Sequence, residues 1–404
     1  MSAMRDSNAI LQRQAGEVRD WLLASAVFMP DLGKALAELC ERIVAASVPI
    51  ARVTTAVQLL NASNQGVGRE WRAGEPIIER VYPYGPQSER SYEDSPFAEA
   101  QRTGAWVNLR PQQMPDDAYG VMPTLKAAGY THYICISLPF SNGRKRNGVT
   151  FATRAPGGFT PAHLEFLRTI IPAMRSVMEI RASERILDEI LQTYVGNDPH
   201  HRILAGDVHR GTVTRIRSAI LFCDLRGYTQ LSMTLPEEDI VDLLNRYFDC
   251  VVPEIETRDG EVLKFIGDGV LAMFHDRDGD AADSCARALA ATVASLAGIA
   301  RANTYGSLPA PLSAGIALHY GEAAYGNVGS GERLDFTAIG RDINIANRIT
   351  RLNGKLNQRV LMSEAFAGWI TEKKEYLGLH EFKGVPGTHP LYAPGGTHPA
   401  MEKT

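Results

Sequence analysis

The stretch AILFCDLRGYT (residues 219–229) decides the fold of the C-terminal half. Ala219, Ile220, Leu221 and Phe222 read as a buried strand. Asp224 then sets a carboxylate beside that apolar surface, and an Arg-Gly turn and a helix start follow. A partner is offered by EVLKFIGDGVLAMF (261–274), where two apolar runs flank Gly267-Asp268-Gly269, a tight hairpin signal. The two aspartates lie 44 positions apart, separated by a strand, a returning helix and another strand. A right-handed βαβ crossover predicts that the strand at 218–223 and the strand opening the hairpin are sheet neighbours. Both carboxylates then share one rim.

Taken singly, each aspartate also fits a turn or a helix cap. Taken together, two anions at one rim repel unless a cation sits between them. A hard divalent ion with oxygen ligands, Mg²⁺ or Mn²⁺, suits that donor set.

Further signals surround the pair. RGYTQL opens a helix with Gly227, Tyr228 and Thr229, where backbone N–H groups can approach an anion. DFTAIGRDINIANRIT (335–350) places Asn344 and Arg348 four apart, on one helix face. An amide and a guanidinium there fit a ribose edge and a phosphate, although a solvated face fits equally well. In EFKGVPG (381–387), Lys383 beside a glycine turn is a further candidate phosphate contact.

The order of elements in this half reads strand (218–223), helix (236–257), hairpin (261–274) and helix (280–302). Strands near 312–338, a helix (341–352), the short strand RVLMS, a helix (364–372) and a closing strand pair follow. The 236–257 helix is the clearest, with Ile240, Leu243, Leu244, Tyr247, Phe248, Val251, Val252 and Ile255 on one face.

The N-terminal half reads as a separate α+β module. LGKALAELCERIVAA (32–46) has helical apolar spacing, and ARVTTAVQLLN (51–61) is β-rich. THYICISLPF and GVTFATR are strand-like runs joined by the polar turn SNGRKRN. A long helix starts at Thr160-Pro161. Its stripes Leu164, Leu167, Ile171, Met174, Met178 and then Ile186, Leu187, Ile190, Leu191, Tyr194 predict a helix that pairs with a copy of itself. Packing on its own domain is the alternative. Pro172 lies within the stripe, and GNDPHH (196–201) ends it. The expected organisation is an extension (1–19), a regulatory module (20–180), a helical linker (181–212), a second domain (213–395) and a tail (396–404), with APGGTHPAMEKT (393–404) reading as disordered.

Bulk composition narrows the function classes. The 404 residues carry 42 basic and 46 acidic side chains, a net charge of -4. That balance gives neither a nucleic-acid footprint nor a polybasic membrane anchor. The five cysteines are scattered without CxxC spacing, as expected of thiols in a reducing compartment. The longest Ala-rich apolar run, 288–300, is broken by Thr292, Ser295 and Gly298, so no membrane span is expected. The first residues lack the basic start and apolar core of a signal peptide. A cytoplasmic location is the expectation.

With these motifs in order, the third part resembles the catalytic domain of class III nucleotidyl cyclases. FCDLRGYT is similar to the first metal motif and KFIGDGVLAMF to the second; GEAAYGNVGSGERLDFT and DFTAIGRDINIANR complete the set over about 180 residues. The resemblance implies a ferredoxin-like βαββαβ core. It implies two Mg²⁺ or Mn²⁺ ions per active site, with Asp224, Asp268 and Leu225 at the metal. It implies that Lys264 and Thr337 read the purine, that Asn344 orients the ribose and that Arg348 stabilises the transition state. Lys383 is then placed on the terminal phosphates. Many such enzymes carry Asp where this chain has Thr337, and those with Thr are mostly adenylate-specific. A Lys ammonium donates to adenine N1 and a Thr hydroxyl accepts from the N6 amino group, whereas guanine N1–H faces Lys264 with a donor. ATP is therefore the expected substrate and 3′,5′-cyclic AMP with pyrophosphate the products, in a homodimer with sites at the interface. GTP, or a nucleotide-binding module without catalysis, is the alternative. No GGDEF-like stretch suggests a dinucleotide-forming cyclase. The first part resembles a GAF-type sensor domain in pattern and size. The cyclic-nucleotide signature of some GAF domains is absent, and Trp71, His132 and Cys135 lack the spacing of a haem or metal site. Its regulatory ligand or partner is unknown from sequence.

Overall fold

A computed structural model describes residues 2–395. The stretch APGGTHPAMEKT (393–404), expected to be disordered, instead begins inside a strand, Val385–Pro394, where Ala393 is buried, and its residues 396–404 lie outside the described residues. The chain forms two compact units that divide between Ile190 and Leu191.

The first unit is built on a six-stranded antiparallel sheet. Its strands are β1 (Arg52–Gln58), β2 (Asn64–Arg72), β3 (Ile78–Pro83), β4 (Val107–Leu109), β5 (His132–Ser137) and β6 (Gly148–Thr153). They lie in the order β3-β2-β1-β6-β5-β4. Helices Ser2–Ala24, Leu32–Ala45 and Pro161–Val195 bury their apolar stripes in one core with Val53, Ile134 and Phe151. The Leu32–Ala45 helix starts where Asp31 accepts hydrogen bonds from the N–H groups of Gly33 and Lys34. The expected cap of the long helix is also present: Thr160 Oγ1 accepts from the His163 N–H at 3.3 Å. β2 carries a carboxylate inward: Glu70, 2% exposed, is held by Arg52 at 2.7 Å and Arg72 at 2.6 Å.

The second unit contains an eight-stranded sheet. Its strands are β7 (Val213–Leu225), β8 (Glu261–Ile266), β9 (Gly269–His275), β10 (Ala314–Ser330), β11 (Arg333–Ile339), β12 (Val360–Ser363), β13 (Lys374–Phe382) and β14 (Val385–Pro394). The order is β13-β14-β12-β10-β7-β9-β8, with β11 on β10. Helix Glu237–Glu256 joins β7 to β8, and helix Ala281–Tyr305 joins β9 to β10. The core is thus β-α-β-β-α-β with its four strands ordered fourth-first-third-second, the ferredoxin-like split βαβ arrangement.

That order corrects one expectation. β7 and the first hairpin strand, β8, are not neighbours, because β9 lies between them and pairs antiparallel with both. The crossover still makes β7 and β8 parallel, but it leaves a strand-wide gap. The tight Gly267-Asp268 turn folds β9 into that gap, which satisfies the backbone of both strands. Asp268 thereby reaches the end of β7 by a different route from the one expected.

Alternation along β7 separates two layers. Ala219, Leu221 and Cys223 face helices Glu237–Glu256 and Ala281–Tyr305. Ile220 and Phe222 face helix Arg341–Thr350 through Ile343, Ala346 and Ile349. Helix Ala281–Tyr305 is long and apolar enough to cross a membrane by length and composition, contrary to the reading of the sequence. Its Cys285, Ala288, Leu289, Leu296 and Ile299 are buried in the core of this unit. Two local readings also change. GNDPHH ends the long helix at Val195 but starts another, Asn197–Leu204, and only Glu364–Ala367 of the expected 364–372 helix is helical.

Candidate active site

The site begins at the open end of β7. Asp224 is the penultimate residue of that strand and pairs across to Gly315 of β10. Cys223 pairs with Val270, so Asp224 stands level with Gly269, one residue beyond Asp268 in the β8–β9 turn. Register alone therefore brings the two carboxylates to one strand end. Glycine is required at 315: an ideal Cβ there would lie 2.8 Å from Asp224 Oδ1. Beneath the pair, Cys223 Sγ and Tyr247 Oη are 2.9 Å apart in the core.

Both acids are poorly solvated. Burial, and then the neighbouring Asp268, push Asp224 up to about 6, while Arg226 pulls it down. Burial also raises Asp268, against hydrogen bonds from its own N–H and that of Leu225. Among the described residues neither forms an ion pair with Lys or Arg. No described cluster of three or more His, Cys, Asp or Glu could hold a metal by itself. Two half-buried carboxylates, raised in pKa and short of a counter-charge, nonetheless fit a hard divalent ion that takes its remaining oxygens from water or phosphate. Leu225 buries its side chain in the core, so only its backbone carbonyl is available as a ligand.

Gly227, in the left-handed region at φ 77°, caps the seven-residue helix Tyr228–Thr234. Tyr228 leans on the core and Thr229 is exposed. Lys264 lies on β8 directly after a bulge: Val262 pairs with Ala272 and Lys264 with Leu271, leaving Leu263 as the extra residue. Bulges re-aim side chains beside functional sites. Here Lys264 Nζ meets Asp335 Oδ2 of β11 at 2.5 Å. Thr337, two residues further along β11 and paired with Gly326, is buried.

Asn344 and Arg348 sit one turn apart on helix Arg341–Thr350, Asn344 exposed and Arg348 half-buried. No hydrogen bond or ion pair joins either of them to Asp224 or Asp268 among the described residues. Lys383 is exposed on the β13–β14 turn, where Gly384 adopts φ 82°. The structure therefore gathers the two carboxylates at one strand end and ties Lys264 to β11. It leaves Asn344, Arg348 and Lys383 on other elements.

Three contributors escaped the sequence analysis. Asp335 is the partner of Lys264, and its place two residues before Thr337 was the available signal. Asp342 fixes helix Arg341–Thr350: its Oδ2 accepts from the Glu322 N–H at 2.8 Å, and its Oδ1 lies 3.5 Å from His319 Nε2. These contacts hold the Asp342 carboxyl below the usual range, His319 first. Any Cβ at Gly321 would overlap that carboxylate. Arg202, on helix Asn197–Leu204, lies over the rings of Tyr325 and Phe336 at 5.3 and 5.9 Å.

Residues 214–388 match the family described as the adenylate and guanylate cyclase catalytic domain. An adenylate cyclase of Anabaena cylindrica is 32% identical over 160 residues, 39% of this chain and 32% of that protein. Adenylate cyclase 1 of Rhizobium meliloti is 29% identical over 188 residues, 46% of this chain and 28% of its own length. The matched segment is thus about a third of the length of these relatives. A solved bacterial light-regulated adenylyl cyclase aligns over 58% of this chain and 66% of its own at 24% identity, with a TM-score of 0.48. Over residues 214–388, less than half of its length, the chain is similar to adenylate and guanylate cyclase catalytic domains.

Proposed function

We propose that the chain is an adenylate cyclase that converts ATP to 3′,5′-cyclic AMP and pyrophosphate. The observation that carries this reading is the convergence of Asp224 and Asp268, half-buried and raised in pKa, at one strand end of a cyclase-family domain. In the reaction the ribose 3′-oxygen forms a bond to the α-phosphorus, the bond from that phosphorus to the β-bridging oxygen breaks, and the 3′-hydroxyl proton is lost. Asp224 and Asp268, with the Leu225 carbonyl, would hold Mg²⁺ or Mn²⁺. When bound, such ions supply charge that acidifies the 3′-hydroxyl and neutralises the triphosphate.

The chain's own residues divide the remaining work. Lys264 donates to adenine N1, and the Thr337 hydroxyl accepts from the N6 amino group. Asn344 orients the ribose. Arg348 meets the charge that grows on the transferring phosphoryl group, an effect worth ~3 kcal/mol or more for a preorganised cation. Lys383 grips the terminal phosphates, and the helix start at Gly227, Tyr228 and Thr229 faces the triphosphate.

Asn344 and Arg348 make no hydrogen bond or ion pair to either carboxylate among the described residues, and the resemblance to class III cyclases implies a homodimer whose two equivalent sites each draw on both subunits. The first unit, an α+β module, acts as a GAF-like sensor, and the 181–212 segment acts as the transducer, in a cytoplasmic protein. The test is to incubate the chain with ATP or GTP and Mn²⁺ and to measure each cyclic product. ATP turnover that exceeds GTP turnover is expected, and no cyclic product from either nucleotide refutes the reading. Mixing Asp224→Ala with Arg348→Ala under subunit exchange should restore activity through one intact site, and a silent mixture excludes shared sites.

A further inference from the structure

We infer that Asp335 is a positioning residue that sets the base-reading ammonium of Lys264, and through it the preference for adenine. The inference rests on the purine-reading role of Lys264 proposed above. Three observations support it. The Lys264–Asp335 ion pair, at 2.5 Å, joins two strands that share no ladder, β8 and β11. The bulge at Leu263 turns Lys264 out of the regular alternation of β8. Asp335 and Thr337 are two apart on one strand, so their side chains leave the same face.

A lysine on a four-carbon stem is otherwise a mobile point charge with three rotatable donors. Asp335 occupies one donor and restricts the stem, leaving the others for a ring nitrogen beside the Thr337 hydroxyl. With a side chain 64% exposed, Asp335 contributes little to stability, because an exposed ion pair is screened by water. Its place on the strand is better explained by direction than by cohesion. An ammonium held in that direction donates to adenine N1 and opposes guanine N1–H.

The experiment measures KM and kcat for ATP and for GTP with Mn²⁺ in the full-length chain and in Asp335→Asn, Asp335→Glu, Lys264→Ala and the Lys264→Ala/Asp335→Asn double variant. Asp335→Asn should raise KM for ATP about tenfold, change kcat for ATP less than about threefold, and cut the ATP-over-GTP preference about tenfold, as expected for losing one charge-assisted contact. Asp335→Glu should recover most of both. In the Lys264→Ala background Asp335→Asn should have no further effect, because the two residues act as one unit. Asp335→Asn with unchanged KM and preference, beside a Lys264→Ala that loses both, overturns the role of Asp335 alone. A Lys264→Ala that keeps both refutes the purine-reading assignment itself, and with it this inference.

Discussion

Asp342 and Glu322 are joined by a hydrogen bond that runs from the backbone N–H of the strand residue to the carboxylate of the helix residue, at 2.8 Å. The bond fastens the first turn of helix Arg341–Thr350 to β10, and that helix carries Asn344 and Arg348. Removing it leaves the Glu322 amide without its partner. Asp342→Ala should cost about 1–2 kcal/mol of stability and about tenfold in kcat. Asp342→Asn keeps an acceptor and should retain most of both. Thermal melts together with turnover numbers check the pair.

Asp224 predicts how stability follows pH. Burial and the neighbouring Asp268 push its carboxyl in the folded state up to about 6, above the usual carboxylate range, so the folded state holds its proton more tightly. The corresponding stability is fully present below about pH 4 and is lost as pH rises toward 6, on the order of 2 kcal/mol after discounting for partial exposure. Asp224→Asn should therefore melt higher than the parent at pH 7.5 while losing cyclase activity. Calorimetry at pH 5 and pH 7.5 tests the difference, which should shrink at the lower pH.

Divalent ions should act on the same pair. Mn²⁺ added at pH 7.5 should raise the melting temperature of the parent and do so less at pH 5, where protons compete for Asp224. Chelation should reverse the shift, and Asp224→Asn should respond weakly at both pH values. An equal response of parent and variant would place the ion elsewhere.

Gly315 predicts a cost confined to function. The Cβ of Gly315→Ala would stand 2.8 Å from Asp224 Oδ1, so the carboxylate must turn away. A displacement of that kind at the proposed metal ligand should lower kcat by at least about tenfold. The melting temperature should change little, because the overlap falls on the end of a side chain at the tip of a strand. Turnover measured against Mn²⁺ concentration reads the effect.

Much of the second unit was legible because its chemistry coincides with its apolar pattern. The run before Asp224, the Gly267-Asp268-Gly269 turn and the Glu237–Glu256 stripe each mark an element by period alone. The strand order was not legible. A hairpin strand inserting between β7 and β8 satisfies the same apolar pattern as a strand lying outside them, and sequence spacing does not separate the two. In the first unit, β2 hid for a different reason: Glu70 interrupts the apolar alternation, and only Arg52 and Arg72 from the folded sheet make it tolerable. The Ser2–Ala24 helix buries Leu11, Ala15, Val18 and Leu22, a stripe at helical spacing interrupted by polar and charged neighbours. Asp335 and Asp342 were overlooked because each lies beside a motif residue on which attention falls first.

β9 contributes no charged group at its centre, yet it keeps β8 two ladder spacings from β7, on the order of 10 Å. Asp268, in the turn that ends β8, and Lys264, within β8, ride on the same hairpin, whereas Asp224 comes from the strand on the far side of β9. A shift of that hairpin along β7 would carry the first two side chains together and leave the third in place.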